Sequence, residues 1–413
     1  MQDQQTTLVD WSDPEPAPKT MVGTARCISY GRGRVREAVR ICVQELPDVQ
    51  ERFERAERVL VKPNLLSSTR RPEDHVNTHP AVVWAVAELL SGEFGCRVSI
   101  GDSCGSMSEG STARAIRRSG MDEVAEELGA DLYNVDSQPR HALEPKGAEL
   151  FREIQLPISL RQFDLVVSVA KFKTHVLTGM TGAVKNMLGL VPGAAKKDAH
   201  VLAPGAEDFA VLLADLYAVL RPGAAFVDGV VAMEGQGPAN GNLRHLELIA
   251  GSCDPVALDA FCAQVAGLQP LQVPVLARCH ERRLGVADPE QISVRGEGAE
   301  AFAPGDFRPP STYLNGPVAR VLPRWLVRSL LQTFTKRYAD IDREACQRCG
   351  ECARNCPSQA IHRESESGLY RVDRSRCISC YCCAEVCPYD AIDVLEPWPT
   401  RLWEGLKAKV GSG

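Results

Sequence analysis

The sequence predicts an α/β fold, a mostly parallel sheet with helices on both faces, followed by a small α+β module at the C-terminus. Three observations carry this. Apolar runs of five to eight residues recur between positions 24 and 266, separated by stretches with helical spacing, the pattern of strands joined by crossover helices. Polar clusters stand where the apolar runs stop, as expected when ligands gather outside the carboxyl ends of parallel strands. Nine of the 16 cysteines crowd between Cys346 and Cys387, which sets the C-terminal segment apart.

The elements follow in order. Residues 1–20 are rich in Pro and Asp and read as disordered. The α/β domain spans 21–270. Thr24–Tyr30 reads as a strand and Arg34–Arg52 as a helix. The apolar run Arg58–Val61 ends in Lys62-Pro63-Asn64, and Pro80–Leu90 has helical spacing. Cys96–Ile100 ends in Gly101-Asp102-Ser103, which reads as a turn and helix cap. Ser111–Gly129 reads as one helix, Phe163–Ala170 as a strongly apolar strand ending at Lys171, and Phe209–Leu220 as a helix before strand Ala225–Val231. His245–Ala250 and Pro255–Ala266 read as a last strand and helix. Residues 271–340 read as an irregular linker carrying a basic amphipathic helix, Val318–Arg337. That helix suits either a membrane surface or docking of the C-terminal module, and basic faces are common enough in solvated helices to favour docking. The module spans 341–397, and 398–413 is a tail.

Bulk composition narrows the classes. A net charge of −6 over 413 residues argues against a general nucleic-acid binder. The N-terminus is polar and acidic, without the basic and apolar regions of a secretion signal. No apolar run reaches the roughly 18 residues of a transmembrane helix. Sixteen cysteines, clustered in a long unexported chain, point to metal binding in a reducing compartment, and so to the cytoplasm.

The cysteine segment holds an internal repeat. Cys346, Cys349, Cys352 and Cys356-Pro357 have the same spacing as Cys377, Cys380, Cys383 and Cys387-Pro388. Both are C-x2-C-x2-C-x3-C-P, the spacing of bacterial ferredoxin clusters, whose fourth cysteine ligates the other cluster. Two zinc sites are the competing reading, but structural zinc takes separated knuckles instead of this run. Residues 340–396 thus resemble the bacterial two-4Fe-4S ferredoxin domain. The resemblance implies two 4Fe-4S clusters. Cys346, Cys349, Cys352 and Cys387 would hold one, and Cys377, Cys380, Cys383 and Cys356 the other. Cys382 is left over, as a packing residue or a redox-tuning neighbour.

Residues 22–266 carry V-L-V-K-P-N-L at 59–65, G-D-S at 101–103, V-S-V-A-K-F-K-T-H at 167–175, T-G-A-V-K-N-M-L-G at 181–189, F-V-D-G at 226–229 and M-E-G-Q-G-P at 233–238. In these motifs and their order the segment resembles the domain of unknown function 362 family, whose members often carry a ferredoxin-like domain. No catalytic residue comes with that resemblance, so roles rest on position. Lys171, Lys173 and His175 follow an apolar strand and are the catalytic candidates, with His175 as general acid because imidazole titrates near neutral pH. Lys62, Asn64, Lys185 and Asn186 are candidates for binding an anionic substrate. Thr178–Gly182 leads into a helical segment at 183–190 whose free N–H groups would add to that site. Asp228 and Glu234 read as a metal site or proton-donor pair. Cys104 and Cys253 read as small hydrophobes. Walker and nucleophile-elbow motifs are lacking.

Three functional readings follow. In the first, clusters fed by an external ferredoxin- or flavodoxin-type partner reduce a small anionic substrate in the α/β domain. In the second, the chain is an electron carrier for a separate enzyme, and in the third a cluster-bearing sensor or assembly factor. The ligand assignment is testable. Cys387→Ser is expected to damage the cluster held by Cys346, Cys349 and Cys352. Cys382→Ser is expected to leave both clusters, as read by iron content and electron paramagnetic resonance.

Overall fold

The computed structural model describes residues 20–310 and 337–395. From the N-terminal side it runs β1 (Thr20–Arg26), α1 (Arg32–Gln44), α2 (Pro47–Arg55), β2 (Arg58–Pro63), α3 (Pro80–Gly92), β3 (Arg97–Asp102), α4 (Ser111–Arg118), α5 (Met121–Leu128) and β4 (Asp131–Asn134). A hairpin of β5 (Arg140–Leu143) and β6 (Ile154–Pro157) precedes β7 (Leu165–His175), β8 (Gly179–Thr181), α6 (Ala183–Asn186), α7 (Gly193–Leu202) and α8 (Ala206–Val219). Then come β9 (Ala224–Glu234), β10 (Asn242–Ser252), α9 (Pro255–Val265), α10 (Pro274–Glu281), β11 (Ile292–Arg295) and α11 (Ala299–Phe302).

The large sheet has strand order β11-β1-β10-β9-β7-β2-β3-β4, with β8 added to β7. β4, β3, β2, β7 and β9 are mutually parallel. β10 runs antiparallel to β9 and to β1, and β11 is parallel to β1. Helices cover both faces. One core gathers α1 to α5 and the other α6 to α10. Every residue of β7 and of β9 is buried, as expected of central strands with helices on both sides.

Two predicted helices are each split. Arg34–Arg52 breaks into α1 and α2, because Pro47 cannot continue a helix but is well suited to start one. Ser111–Gly129 breaks at Gly120, which takes the left-handed conformation between α4 and α5. The linker reading of 271–340 is corrected more deeply. α10 packs Val275, Leu276 and Cys279 into the core, and β11 closes the sheet edge beside β1. Each element is short and flanked by Pro, Gly and charge, which hides its periodicity. The basic helix reading at Val318–Arg337 falls, apart from Arg337, outside the described residues, as do the tail and, apart from Thr20, the N-terminal segment. No helix among the described residues is long and apolar enough to cross a membrane.

The C-terminal module has twofold internal likeness. β12 (Tyr338–Ile341) pairs with β15 (Ile392–Leu395), and β13 (Ile361–Arg363) pairs with β14 (Tyr370–Val372). Two short helices, α12 (Glu351–Arg354) and α13 (Cys382–Val386), follow the two cysteine loops.

One cap carries a pH signature. His79 Nδ1 accepts the Ala81 N–H at 3.2 Å at the start of α3, and its ring stacks on Tyr30 at 3.7 Å. Burial pushes the His79 imidazolium down to about 4, so the folded protein holds the ring neutral while the unfolded chain protonates near 6.5. Stability from this group is therefore complete at neutral pH and lost as pH falls from about 6.5 toward 4. Thermal unfolding between pH 7 and 5 is expected to show His79→Asn, which keeps an acceptor at the cap, losing stability less steeply than wild type. The slope should differ by at most about 1.4 kcal/mol per pH unit.

Candidate functional site

The carboxyl ends of β2, β3, β7 and β9 bring charged side chains into the protein interior. Lys62 is fully buried and lies 2.8 Å from Asp102 Oδ1. It also donates to Asn186 Oδ1 at 2.9 Å and to the Pro63 carbonyl at 3.0 Å. Burial pushes its ammonium down to about 8, against the opposing pull of Asp102. Asp102 in turn accepts the Leu65 and Ser103 amides. Asn186 returns its Nδ2 to the Lys62 carbonyl and to Ser168 Oγ. Lys171 stands level with Asp228 in the β7–β9 register and lies 2.9 Å from its Oδ2. Tyr30 joins them, accepting from Lys171 at 2.8 Å and donating to Asp228 Oδ1 at 2.7 Å. Burial raises the Asp228 carboxyl, but the Lys171 ammonium and the His79 N–H together outweigh it and the net shift is downward.

Two glycines of the 181–189 motif are explained by these pairs. A Cβ on Gly189 would stand 1.9 Å from Asp102 Oδ1 and 2.5 Å from Lys62 Nζ. On Gly182 it would stand 2.1 Å from Asp259 Oδ1. Asp259 comes from α9 and accepts the Ala183 and Val184 N–H groups at 2.6 and 3.0 Å. This corrects the expectation of free N–H groups at 183–190: the first turn already has a carboxylate on it.

Of the remaining predicted residues, His175 reaches the C-terminal module. Lys173 Nζ donates to the Val76 carbonyl at 2.6 Å, and burial lowers its pKa well below the usual ammonium range. His175 Nδ1 accepts the Leu177 N–H at 3.1 Å, which leaves the proton on Nε2. That atom lies 3.2 Å from Glu385 Oε1, on α13 of the module. Burial pushes the imidazolium down to about 4, and the nearby Lys185 ammonium adds to this. The expected general acid titrating near pH 7 is thus a neutral ring. Burial opposes ionisation of Glu385, but His175 and Lys185 overcome it and hold the carboxyl at about 2. Lys185 makes no hydrogen bond or ion pair among the described residues. It lies within electrostatic reach of Glu385 and Cys382. Asn64 Oδ1 is buried without a partner.

Further contacts seat the module. Asn355, fully buried, accepts the Met107 N–H and donates to Ser108 Oγ at 2.9 Å. Ser108 also donates to Glu351, Lys197 donates to the Arg354 carbonyl at 2.9 Å, and Arg70 bridges to Asp390.

Within the module, two small cavities are each lined by four cysteines. Cys356, Cys377, Cys380 and Cys383 line the first. Cys346, Cys349, Cys352 and Cys387 line the second. Neither lining includes a carboxylate or imidazole. The Ala360 N–H donates to Cys356 Sγ and the Ala391 N–H to Cys387 Sγ, at equivalent places in the repeat. No three His, Cys, Asp or Glu side chains among the described residues gather closely enough for one metal ion. A single zinc would need its sulfurs about 2.3 Å from one point. Thiols spread around a cavity fit a multi-iron cluster better. Cys382 is buried and lines neither cavity.

Other expectations change. Asp228 and Glu234 do not pair: six residues apart on β9, about 20 Å along a strand, they take separate partners. Glu234 Oε2 accepts the Arg308 N–H and faces Arg244. Lys196, His200 and Glu385 were missed. Lys196 donates to Ser103 and to the Cys104 carbonyl. His200 stacks on Phe209 and burial pushes it to about 4. Their i, i+4 spacing between alanines was the available signal. Cys104 is fully buried and Cys253 half-buried.

An α/β domain with a buried lysine–carboxylate rim, carrying a ferredoxin-type module against that rim, defines the class. Residues 59–264 match the family model described as domain of unknown function (DUF362), and residues 345–391 match a 4Fe-4S dicluster domain. The chain belongs to the DUF362 family and carries a 4Fe-4S ferredoxin-type domain. It is 31% identical over 266 residues to the thylakoid-associated protein sll1697 of Synechocystis sp., a match covering 64% of this chain and 79% of that protein. Among solved structures it is similar to the lactate racemase apoprotein from Thermoanaerobacterium thermosaccharolyticum. The TM-score is 0.40 at 14% identity, over 62% of this chain and 60% of that one.

Asp102→Ala would leave the Lys62 ammonium buried and unpaired. Urea unfolding is expected to show a loss of about 3–5 kcal/mol. The double variant Lys62→Met, Asp102→Leu should recover most of it, because an apolar pair leaves no buried charge.

Proposed function

We propose that the chain passes electrons through two 4Fe-4S clusters to a small anionic acceptor held where the α/β domain meets the ferredoxin-type module. One observation carries this. The segment Cys382–Cys387 supplies Cys383 to one cysteine cavity and Cys387 to the other, and between them Glu385 reaches His175. The cluster ligands and the lysine–histidine chamber are thus joined within six residues.

The two sets of four cysteines would hold the clusters, which supply electrons singly and no protons. The cavity that includes exposed Cys349 is the suitable face for an external ferredoxin- or flavodoxin-type partner. The cavity that includes buried Cys380 and Cys383 is the suitable inner one. Lys185 would supply positive charge to the acceptor, Lys173 a hydrogen-bond donor, and His175 a hydrogen bond from Nε2. Lys62 and Lys171 are spoken for by Asp102 and Asp228, and Asn186 by Lys62 and Ser168, so their part is to hold the strand ends in place. Cysteines arranged in two iron–sulfur ligand runs suit a reducing compartment, the cytoplasm. A second reading, an electron carrier for a separate enzyme, draws on the presence of Glu385 in the chamber that an acceptor would use.

Anaerobic protein reduced by dithionite separates the two. Reoxidation of the clusters by a panel of small organic acids is expected, slowed at least about tenfold in Lys185→Met by loss of a charged contact. If no acid reoxidises the clusters while a separate redox protein does, the carrier reading replaces the first.

A further inference from the structure

A carboxylate already lies among Lys173, Lys185, His175 and His200, and it belongs to the protein. Glu385 has a side chain only 11% exposed, with Oε1 3.2 Å from His175 Nε2. Lys173, Lys185 and His200 lie within its electrostatic reach. Three buried atoms in this neighbourhood, His175 Nε2, Thr181 Oγ1 and His200 Nδ1, have no well-aligned hydrogen-bond partner among the described residues, so Glu385 lies close to His175 without completing a bond to it. Thr181 stands opposite Lys173 across the β7–β8 ladder. A buried polar atom left unpaired is costly and uncommon. Three of them beside an unbridged ammonium mark a place for an occupant with more polar atoms than Glu385 offers.

We infer that Glu385 is an internal stand-in for the carboxylate of the acceptor, filling its site while the module is docked and giving way when a small carboxylic acid enters. The inference rests on the anionic-acceptor reading above and names its class: a carboxylic acid with a further polar group for Thr181 and His200. Charge decides between carboxylate and phosphate. One carboxylate replacing another leaves the charge of the buried chamber unchanged. A phosphate dianion brings one more charge into this buried site, and its desolvation cost is correspondingly larger. The location suits transfer as well, because Glu385 sits two residues from Cys383 and two from Cys387. An acid in its place lies beside the ligands of both cysteine cavities.

The test is calorimetric titration of the full chain, matched for iron content, with glycolate, a monocarboxylic acid bearing one hydroxyl, and with inorganic phosphate. Glu385→Gln is expected to bind glycolate about tenfold or more tighter than wild type, since the competing charge is gone while the side-chain shape remains. Phosphate should show no such gain. Glu385→Asp, still anionic, should stay close to wild type. Equal glycolate affinity in wild type and Glu385→Gln overturns the inference. So does an equal gain in Glu385→Asp, which would point to loosened docking instead of a vacated charge. If Glu385→Gln shows no gain but wild type binds glycolate and Lys185→Met does not, the acceptor site stands and only the role of Glu385 falls. If no variant binds glycolate, both fall together.

Discussion

Burying lysine ammonium groups at the carboxyl ends of central strands is the constraint that organises this molecule. An unpaired buried charge costs several kcal/mol, so each lysine must be met by an acceptor fixed in place. The sheet meets this with register. β9 pairs with β7 so that Asp228 stands level with Lys171, and β3 ends at Asp102 beside Lys62. The backbone then has to leave room. Gly189 lies against the Lys62–Asp102 pair, and Gly182 against the Asp259 carboxylate that caps the next turn. A methyl group at either position would collide with a charged side chain that has nowhere to go. The glycines, the carboxylates and the strand ends therefore form one mutually dependent unit.

That unit leaves a positive remainder. Lys62 and Lys171 are neutralised within the α/β domain, but Lys173 has only a carbonyl and Lys185 has no bonded acceptor there. The module answers with Glu385. Burial keeps the His175 ring neutral, with Lys185 adding to it, while His175 and Lys185 together hold Glu385 ionised against burial. The electrostatics of this cluster are thus completed by a residue from the other domain, and docking and the charge state of the cluster are coupled.

Local chemistry was legible in the sequence, and long-range chemistry was not. The cysteine spacing is a local pattern in which each ligand lies within a few residues of the next, and its pairing rule applies to a whole module. The strand ends were legible for a similar reason: Lys62, Lys171 and Asp228 each follow an apolar run. What each lysine touches depends on register and crossover. Asp259 lies 77 residues beyond Gly182 and Glu385 lies 210 residues beyond His175, and nothing in composition or periodicity ties such pairs together. The reading of Lys62 and Lys185 as binders of an external anion counted the cations and had no means to count their partners. Short elements such as β11 and α10 were hidden because four to eight residues hold too little period to stand out from flanking Pro and Gly.

The same contrast bears on Cys382. Its surplus status follows from comparing the two halves of the repeat, since position 351 in the first half is Glu and position 382 in the second is Cys. The structure assigns different surroundings to the two. Glu351 faces Ser108 and Asn355 at the polar edge of the docking surface. Cys382 is buried, close to Lys185. A carboxylate at 382 would place a second negative charge next to Glu385 and the cluster thiolates, which the low-dielectric interior penalises. A neutral thiol fills the space without that repulsion. The fifth cysteine of the second loop thus lies between Lys185 and Cys380, the cluster-ligand candidate its thiol meets.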